Sequence, residues 1–330
     1  MKVLITGATG FVGSWLTREM LNLGHEVRVL SRSGKANFEF PADNIEICKG
    51  DINDFEAVKN ATKGVDSVFH LAGVVGYSKK MLPEMIRANV DGTRCIVNAS
   101  IANNIKRFVH MSSVTAVGAS FDGKKPLNEE SPFNVAHLHL GYFDTKLAAE
   151  KIVKQAFLDK KLDVVIVNPS TIYGPGDATK GSRKTQLKVA RGEMPFYTDG
   201  GVSVIHVGDL ISGVLAAWQK GRSGERYILS GDNITIKELF ETIASCAGVS
   251  APTQKMPNLV LSGLGWLGDC LANVGLKGPI SSENAWTARL FHWFDNSKAK
   301  NELGLTTKSA RIAIQESVDW SRKHGLLEKK

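Results

Sequence analysis

The sequence predicts an α/β fold: a doubly wound parallel sheet followed by a smaller C-terminal α/β lobe. Three observations predict it. Apolar runs of strand length alternate with segments of helical periodicity through the first half of the chain. A glycine-rich turn, Thr6-Gly-Ala-Thr-Gly-Phe-Val-Gly13, stands between the first apolar run and the first helical segment. After Pro169 the elements shorten and glycine punctuates them, at Gly174, Gly176, Gly200, Gly201, Gly231 and Gly248.

Taken in order, strands are expected at 3–6, 26–30, 45–48, 67–72, 107–112 and 164–168, with helices at 11–23, 83–103 and 142–158. Strands buried on both faces read as near-continuous apolar runs, because helices cover the sheet on either side. In the second half a strand at 202–207 leads into a helix expected to be capped by Asp209, and helices follow at 235–247 and 309–324. The expected division is 1–168 for a dinucleotide-binding domain and 169–330 for a substrate-binding lobe, some segments of which return to the sheet. The apolar segment 259–276 carries one charge, Asp269, and reads as a core or pocket-wall helix, with an interfacial helix as the alternative.

Composition narrows the function classes. With 330 residues the chain can bury a large core, and its 43% hydrophobic content is that of a globular protein. The +8 net charge is spread along the chain without a nucleic-acid motif, so a basic surface is expected rather than a nucleic-acid partner. Four cysteines show no Cys-x-x-Cys pair and no ligand-like spacing to histidine, so neither a disulfide framework nor a metal site is expected. No stable membrane span is expected, and a strand-like run starting at Lys2 leaves no room for a leader, so the expected location is cytoplasmic.

The glycine turn suits a dinucleotide. Gly7 lets the chain turn, Gly10 lets backbone approach a pyrophosphate, and Gly13 lets the helix lie close to the sheet. The segment after the second strand, Leu30-Ser-Arg-Ser-Gly-Lys35, has no acid to bind a ribose 2′-hydroxyl. Arg32 can instead fork a 2′-phosphate, which favours NADP over NAD. Asp51, with the Ile52 amide beside it, can receive the adenine amino group or serve as a helix cap. The small residues of His70-Leu-Ala-Gly73 let backbone pass close to a ribose, while His70 itself reads as a core histidine.

Farther along, Tyr142 and Lys146 lie one helical turn apart, downstream of the pair Ser112-Ser113. A phenol with an ordinary pKa near 10 is a poor acid–base group at neutral pH unless a cation favours its phenolate. Lys146 is the expected cation and can also reach ribose hydroxyls; Ser113 is expected to hold a substrate oxygen against Tyr142. Asn89 either orients backbone or water behind Lys146 or packs the sheet. His137 and His139, with Tyr77 and Arg183, are candidate substrate contacts, and the two histidines without a third ligand do not make a metal site.

These residues together resemble the extended short-chain dehydrogenase/reductase superfamily, a Rossmann-type fold. The match runs from Met1 to about Gly304, through the glycine turn, Asp51, His70-x-Ala-Gly73, Asn89-x-x-Gly-Thr93, Ser113, Tyr142-x-x-x-Lys146 and Pro169 to Gly174-Pro175. Within it the chain is most similar to the dihydroflavonol 4-reductase-like branch, which includes bacterial hopanoid-associated members. Val167-Asn-Pro-Ser-Thr-Ile-Tyr-Gly-Pro175, Phe196-Tyr-Thr-Asp199, His206-Val-Gly-Asp209 and Gly224-Glu-Arg-Tyr-Ile-Leu229 carry that likeness.

The resemblance implies NADP-dependent reduction of a small-molecule ketone or aldehyde by Ser113, Tyr142 and Lys146, and a homodimer through two long helices. It places the cofactor against Gly7, Thr9, Gly10, Phe11, Val12, Gly13, Arg32, Asp51, Ile52, Leu71, Ala72, Gly73, Met111, Ser112, Tyr142, Lys146, Pro169, Ser170 and Thr171. Sugar-nucleotide enzymes of the superfamily usually carry Asn where this chain has Thr171, and often Arg where it has Asn168, which weakens a diphosphate-binding reading. The alternatives are an epimerase or dehydratase recycling bound NAD, and a nonenzymatic dinucleotide sensor; the sensor class tends to lose the tyrosine that is intact here.

Overall fold

The computed structural model describes residues 1–42, 44–177 and 181–328, the side chains of 181–183 apart. Its first half lays down β1 (Lys2–Thr6), α1 (Phe11–Asn22), β2 (Glu26–Ser31), β3 (Ile45–Lys49), α2 (Phe55–Thr62) and β4 (Ser67–His70). A continuous helical stretch follows, made of α3 (Leu82–Met85), a widened turn at Ile86–Asp91 and α4 (Gly92–Ala102). Then come β5 (Arg107–Met111), α5 (Gly141–Leu158) and β6 (Val164–Pro169).

All neighbours in the main sheet are parallel, in the order β6-β5-β4-β1-β2-β3. Alternation along β1 shows why two helical layers are needed. Val3 and Ile5 join one core with Leu16 and Met20 of α1, while Leu4 joins the opposite core with Val58, Ile96 and Val153. Arg28 is one of the charges buried in this framework. Arg28 of β2 donates to the carbonyls of Ala61 and Lys63 at 2.8 and 2.7 Å, closing the C-terminal end of α2, and pairs with Glu46 at 2.9 Å.

The second half adds β7 (Thr171–Tyr173), α6 (Gly181–Ala190), β8 (Phe196–Tyr197), β9 (Gly201–His206), α7 (Val207–Lys220), β10 (Arg226–Leu229), β11 (Asp232–Thr235) and α8 (Ile236–Ala247). It ends with β12 (Gln254–Lys255), α9 (Asn258–Asn273), α10 (Ser282–Thr287), β13 (Phe291–His292) and α11 (Ala310–Lys323). Strand β10 pairs with β6 and becomes the seventh strand of the main sheet. Around β9, a second sheet takes β7 and β13 in parallel and β11 antiparallel. Its core joins Tyr173, Val204, Leu239, Phe240, Ile243 and Ile314.

Two expectations are corrected here. The cap of α7 is His206, whose ring accepts the Gly208 N–H at 3.0 Å; Asp209 instead receives the Lys308 N–H at 2.7 Å. An imidazole nitrogen at this cap position reaches the orphan amide as well as a carboxylate would. The segment 259–276 is not a core helix: Leu259, Val260, Trp266 and Leu267 all face solvent.

Candidate active site

The sheet order reverses direction between β1 and β4, and the glycine turn and His70-Leu-Ala-Gly73 leave the C-terminal ends of those two strands. Gly7 has φ +72°, and a Cβ there would come 2.8 Å from the Ala72 nitrogen. A Cβ at Gly13 would come 2.1 Å from the Gly7 carbonyl oxygen, so helix and turn touch without side chains between them. Thr9 and Gly10 are exposed on the open side; Phe11 and Val12 are buried below. Gly10 gives α1 no side-chain cap, and its first turn holds no acid, leaving amides and a positive helix end turned to the crevice.

A chain of hydrogen bonds ties this turn to Asn89. The Ala72 N–H donates to the Thr6 hydroxyl (3.2 Å), which lies 2.8 Å from His70 Nδ1; His70 Nε2 lies 3.0 Å from the Thr93 hydroxyl, which donates to the Asn89 carbonyl at 2.6 Å. His70 is a buried core histidine, as its sequence setting suggested, with its pKa pushed down to about 3 by burial and then by Lys146. Asn89 sits in the widened helical turn and uses its amide as a second backbone. Its Oδ1 accepts the Val74 N–H at 2.7 Å, and its Nδ2 donates to the Val74 carbonyl at 2.9 Å and to Thr145 at 3.2 Å. Asn89 therefore orients the Val74 backbone, and neighbouring Gly73 is close enough that a Cβ there would lie 3.6 Å from Lys146 Nζ.

Ser113, Tyr142 and Lys146 converge on the ends of β5 and β6, all three buried. The Ser113 hydroxyl lies against the Tyr142 phenol and favours its phenolate form, and Ser113 Oγ accepts the Thr115 N–H at 3.2 Å. Lys146 Nζ donates to the Met111 carbonyl at 2.9 Å. Burial pushes the Tyr142 phenol up, Tyr77 adds to this, and the Ser113 hydroxyl opposes it. The Tyr77 ring meets that of Tyr142 edge-on, centroids 6.0 Å apart, and burial raises its own phenol to about 12. A neutral phenol is held here, in the form that gives up a proton.

Asn168 has a structural task that the sequence did not announce. It lies fully buried, donating to the Ser113 carbonyl at 2.8 Å and to Glu150 at 2.5 Å, so it supports the serine and is not a stand-in for a diphosphate-binding arginine. Thr171 is half-buried at the start of β7, beyond Pro169 and Ser170. Ser112 and Ser170 are buried with hydroxyls that have no protein partner among the described residues.

At the ends of β2 and β3, Arg32 is exposed and Asp51 accepts from Asn53 N–H and Nδ2 at 2.9 and 3.0 Å. Asp54, not Asp51, caps α2. Ile52 packs against Gly92 of α4. The sequence reading missed Arg87, which pairs with Asp51 at 3.2 Å. Asp51 is held below the usual carboxylate range by the Asn53 bonds first, then by Arg87 and Arg32. His139 takes a left-handed backbone (φ 48°) in the approach to α5, His137 is exposed beside Phe121, and Arg183 lies outside the described side chains.

Residues 3–230 match the NAD dependent epimerase/dehydratase family. The chain belongs to this family. It is an extended short-chain dehydrogenase/reductase and an NAD(P)-dependent oxidoreductase. A Synechocystis sp. protein provisionally named dihydroflavonol 4-reductase is 32% identical over 98% of this chain and 95% of its own. Sterol demethylase protein B of Methylococcus capsulatus is 30% identical over 99% and 100%. The crystal structure of gox2253 superposes with a TM-score of 0.87 at 33% identity, covering 99% of both chains. A ketoreductase of Stigmatella aurantiaca and a 3-beta-hydroxysteroid dehydrogenase of Mycolicibacterium neoaurum are each 27% identical, over 98% and 94% of this chain.

The dinucleotide of this family fits the residues present. The uncapped α1 terminus and bare Gly10 offer amides to a pyrophosphate, and the buried hydroxyls of Ser112 and Ser170 have no protein partner among the described residues at the sheet edge where a nicotinamide half would lie.

Proposed function

We propose that this oxidoreductase reduces the ketone or aldehyde of a hydrophobic small molecule, preferring NADP, with Ser113, Tyr142 and Lys146 as its catalytic residues. The buried juxtaposition of the Ser113 and Tyr142 hydroxyls, beside a lysine anchored on the Met111 carbonyl, carries this reading. Residues 1–168 would bind the dinucleotide and 169–330 would shape the substrate site. Gly7, Thr9 and the Gly10–Gly13 amides would hold the pyrophosphate, with Arg32 at a 2′-phosphate and Asp51 and Ile52 at the adenine. Leu71 to Gly73, Met111, Ser112, Lys146 and Pro169 to Thr171 would hold the nicotinamide half.

The bound nicotinamide supplies the hydride. Ser113 and Tyr142 hold the substrate oxygen between their hydroxyls. As the carbonyl carbon is reduced, the Tyr142 O–H proton passes to that oxygen, giving the alcohol and a phenolate. The Lys146 ammonium stabilises the phenolate until solvent reprotonates it. The Tyr77 ring against Tyr142 gives the site an apolar wall, and relatives named for a dihydroflavonol and for sterol demethylation support a hydrophobic substrate.

The family description favours a second reading, a nucleotide-sugar epimerase or dehydratase that keeps tightly bound NAD. NADPH oxidation assayed with aryl and alkyl ketones, beside turnover of UDP-sugars, separates the two. Tyr142→Phe is expected to lower ketone turnover by about 10²–10⁴-fold with little change in NADPH affinity. UDP-sugar turnover without any ketone reduction would establish the second reading.

A further inference from the structure

Helix α9 presents an uncharged apolar face to solvent. Its inner side is glycine-packed: a Cβ at Gly265 would come 3.0 Å from that of Ala285 in α10, and one at Gly268 would collide with the Ile280 carbonyl. Its outer side carries Leu259 (86% exposed), Val260, Trp266 (67%) and Leu267, continued by Val274 (71%) and Leu276. Six of the 15 large hydrophobic side chains exposed among the described residues thus fall within one short segment. A helix on an aqueous surface carries charge on that side. Here the lone charged residue, Asp269, accepts the Ser282 N–H at 3.3 Å on the packed side.

Lysines stand at both ends of this segment and on a turn beside α10. Lys255, paired with Asp199, precedes α9, and exposed Lys277 follows it. Lys79 and Lys80 are exposed on a turn that the Ser281 hydroxyl ties to the start of α10 through the Tyr77 carbonyl. The chain as a whole carries +8. An apolar stripe with an indole on it and lysines at its ends complements an anionic lipid surface, with side chains in the acyl boundary and ammonium groups at the phosphates. Among the described residues no helix is long and apolar enough to cross a membrane, so the contact is one of lying on the surface.

We propose that α9 docks this protein on an anionic membrane surface, its Leu259–Trp266–Val274 face inserted and Lys79, Lys80 and Lys277 on the headgroups. The proposal does not depend on the substrate reading. Docking places the bilayer one helix away from α10, whose Glu283 carboxylate lies against Gly141 at the start of the Tyr142 helix.

The test is flotation of the purified full chain with phosphatidylcholine vesicles, with and without about one third phosphatidylserine. The wild type is expected to float with the anionic vesicles and to be released by high salt. Leu259→Glu combined with Trp266→Glu is expected to cut the bound fraction at least about ten-fold. Lys79→Ala, Lys80→Ala and Lys277→Ala together should weaken binding while leaving the apolar face unchanged. Independently of any variant, brominated lipid should quench part of the wild-type tryptophan fluorescence. A wild type that stays in the aqueous fraction, or flotation that the glutamate variant does not alter, would overturn the proposal. So would sedimentation showing that the wild type pairs with a second copy and the glutamate variant does not.

Discussion

The imidazole of His70 and the hydroxyl of Thr93 share a buried hydrogen bond of 3.0 Å that fixes the histidine's tautomer. Thr93 spends its proton on the Asn89 carbonyl at 2.6 Å, so His70 must donate from Nε2, and Nδ1 must accept from Thr6. The chain then reads in one direction, from the Ala72 amide through four side-chain and backbone groups to the helix that holds Asn89. Strands β1 and β4 and the Asn89 turn are thereby locked in one arrangement.

Thr93→Val keeps the shape and removes the acceptor, stranding a buried N–H. The expected loss is about 1–3 kcal/mol of folding stability, read by urea denaturation, whereas Thr93→Ser should retain most of it. Equal losses in both variants would place the effect in packing and not in the hydrogen bond.

The pair of histidines behind Lys146 makes stability fall in acid. His70 stacks on His110, centroids 5.5 Å apart, and His110 is likewise held well below its usual pKa by burial, then by His70 and Lys146. Below pH 6.5 the unfolded chain binds protons that the folded chain refuses, down to about 3 for His70. Stability contributed by these neutral rings is therefore complete above pH 6.5 and is lost as the pH falls, by up to about 1.4 kcal/mol per pH unit for each group. Neither ring nitrogen of His110 has a protein partner among the described residues, so His110→Phe removes a titrating group without stranding a hydrogen bond. Urea unfolding from pH 7 to 4 should give a shallower acid slope for His110→Phe; an unchanged slope would remove His110 from the acid response.

Much of this was legible in the sequence because its signals are local. Apolar runs such as Val164 to Val167 mark buried parallel strands, and a glycine trio directly after a strand allows few geometries. Ser113, Tyr142 and Lys146 could be named because one helical turn fixes the last two and the first ends a strand. What escaped depends on contacts between distant segments. Nothing near Arg87 announces Asp51, nothing near Asn168 announces that it will hold the Ser113 carbonyl, and hydropathy does not reveal which way α9 faces.

Glu283 is another such contact. Helix α5 begins at Gly141, its N-cap Leu140 offers no side-chain cap, and the Glu283 carboxylate of α10 lies close enough to the Gly141 amide to serve in its place. Burial raises the Glu283 pKa first, with Asp269 and Asp144 adding and the Gly141 amide and Lys79 opposing. A carboxyl raised by folding costs stability as pH rises through its unfolded value, 4.5, toward its folded one. Glu283→Ala should lose about 0.5–2 kcal/mol, the usual worth of a cap, while Glu283→Gln keeps an acceptor and should match or exceed the wild type at pH 7. Thermal melts of the three proteins decide it, and a glutamine variant as weak as the alanine one would deny the cap.

Cofactor choice should rest on the two guanidinium groups around Asp51. Arg32 stands exposed beyond β2 where a 2′-phosphate would project, and Arg87 reaches the same carboxylate from the helix side. Arg87 is already engaged with Asp51, so it should contribute less to an added phosphate than Arg32 does. A charge-assisted hydrogen bond is worth about 1.5–3 kcal/mol, equivalent to a preference of roughly ten- to hundredfold. Fluorescence titration is therefore expected to show tighter binding of NADPH than NADH, a preference largely erased in Arg32→Ala and reduced only partly in Arg87→Ala. Because the 2′-phosphate contact is ionic, the preference should also shrink as salt is raised, while NADH binding changes little. Equal affinities in the wild type would remove Arg32 from the site, and a larger loss in Arg87→Ala would reverse the order of the two arginines.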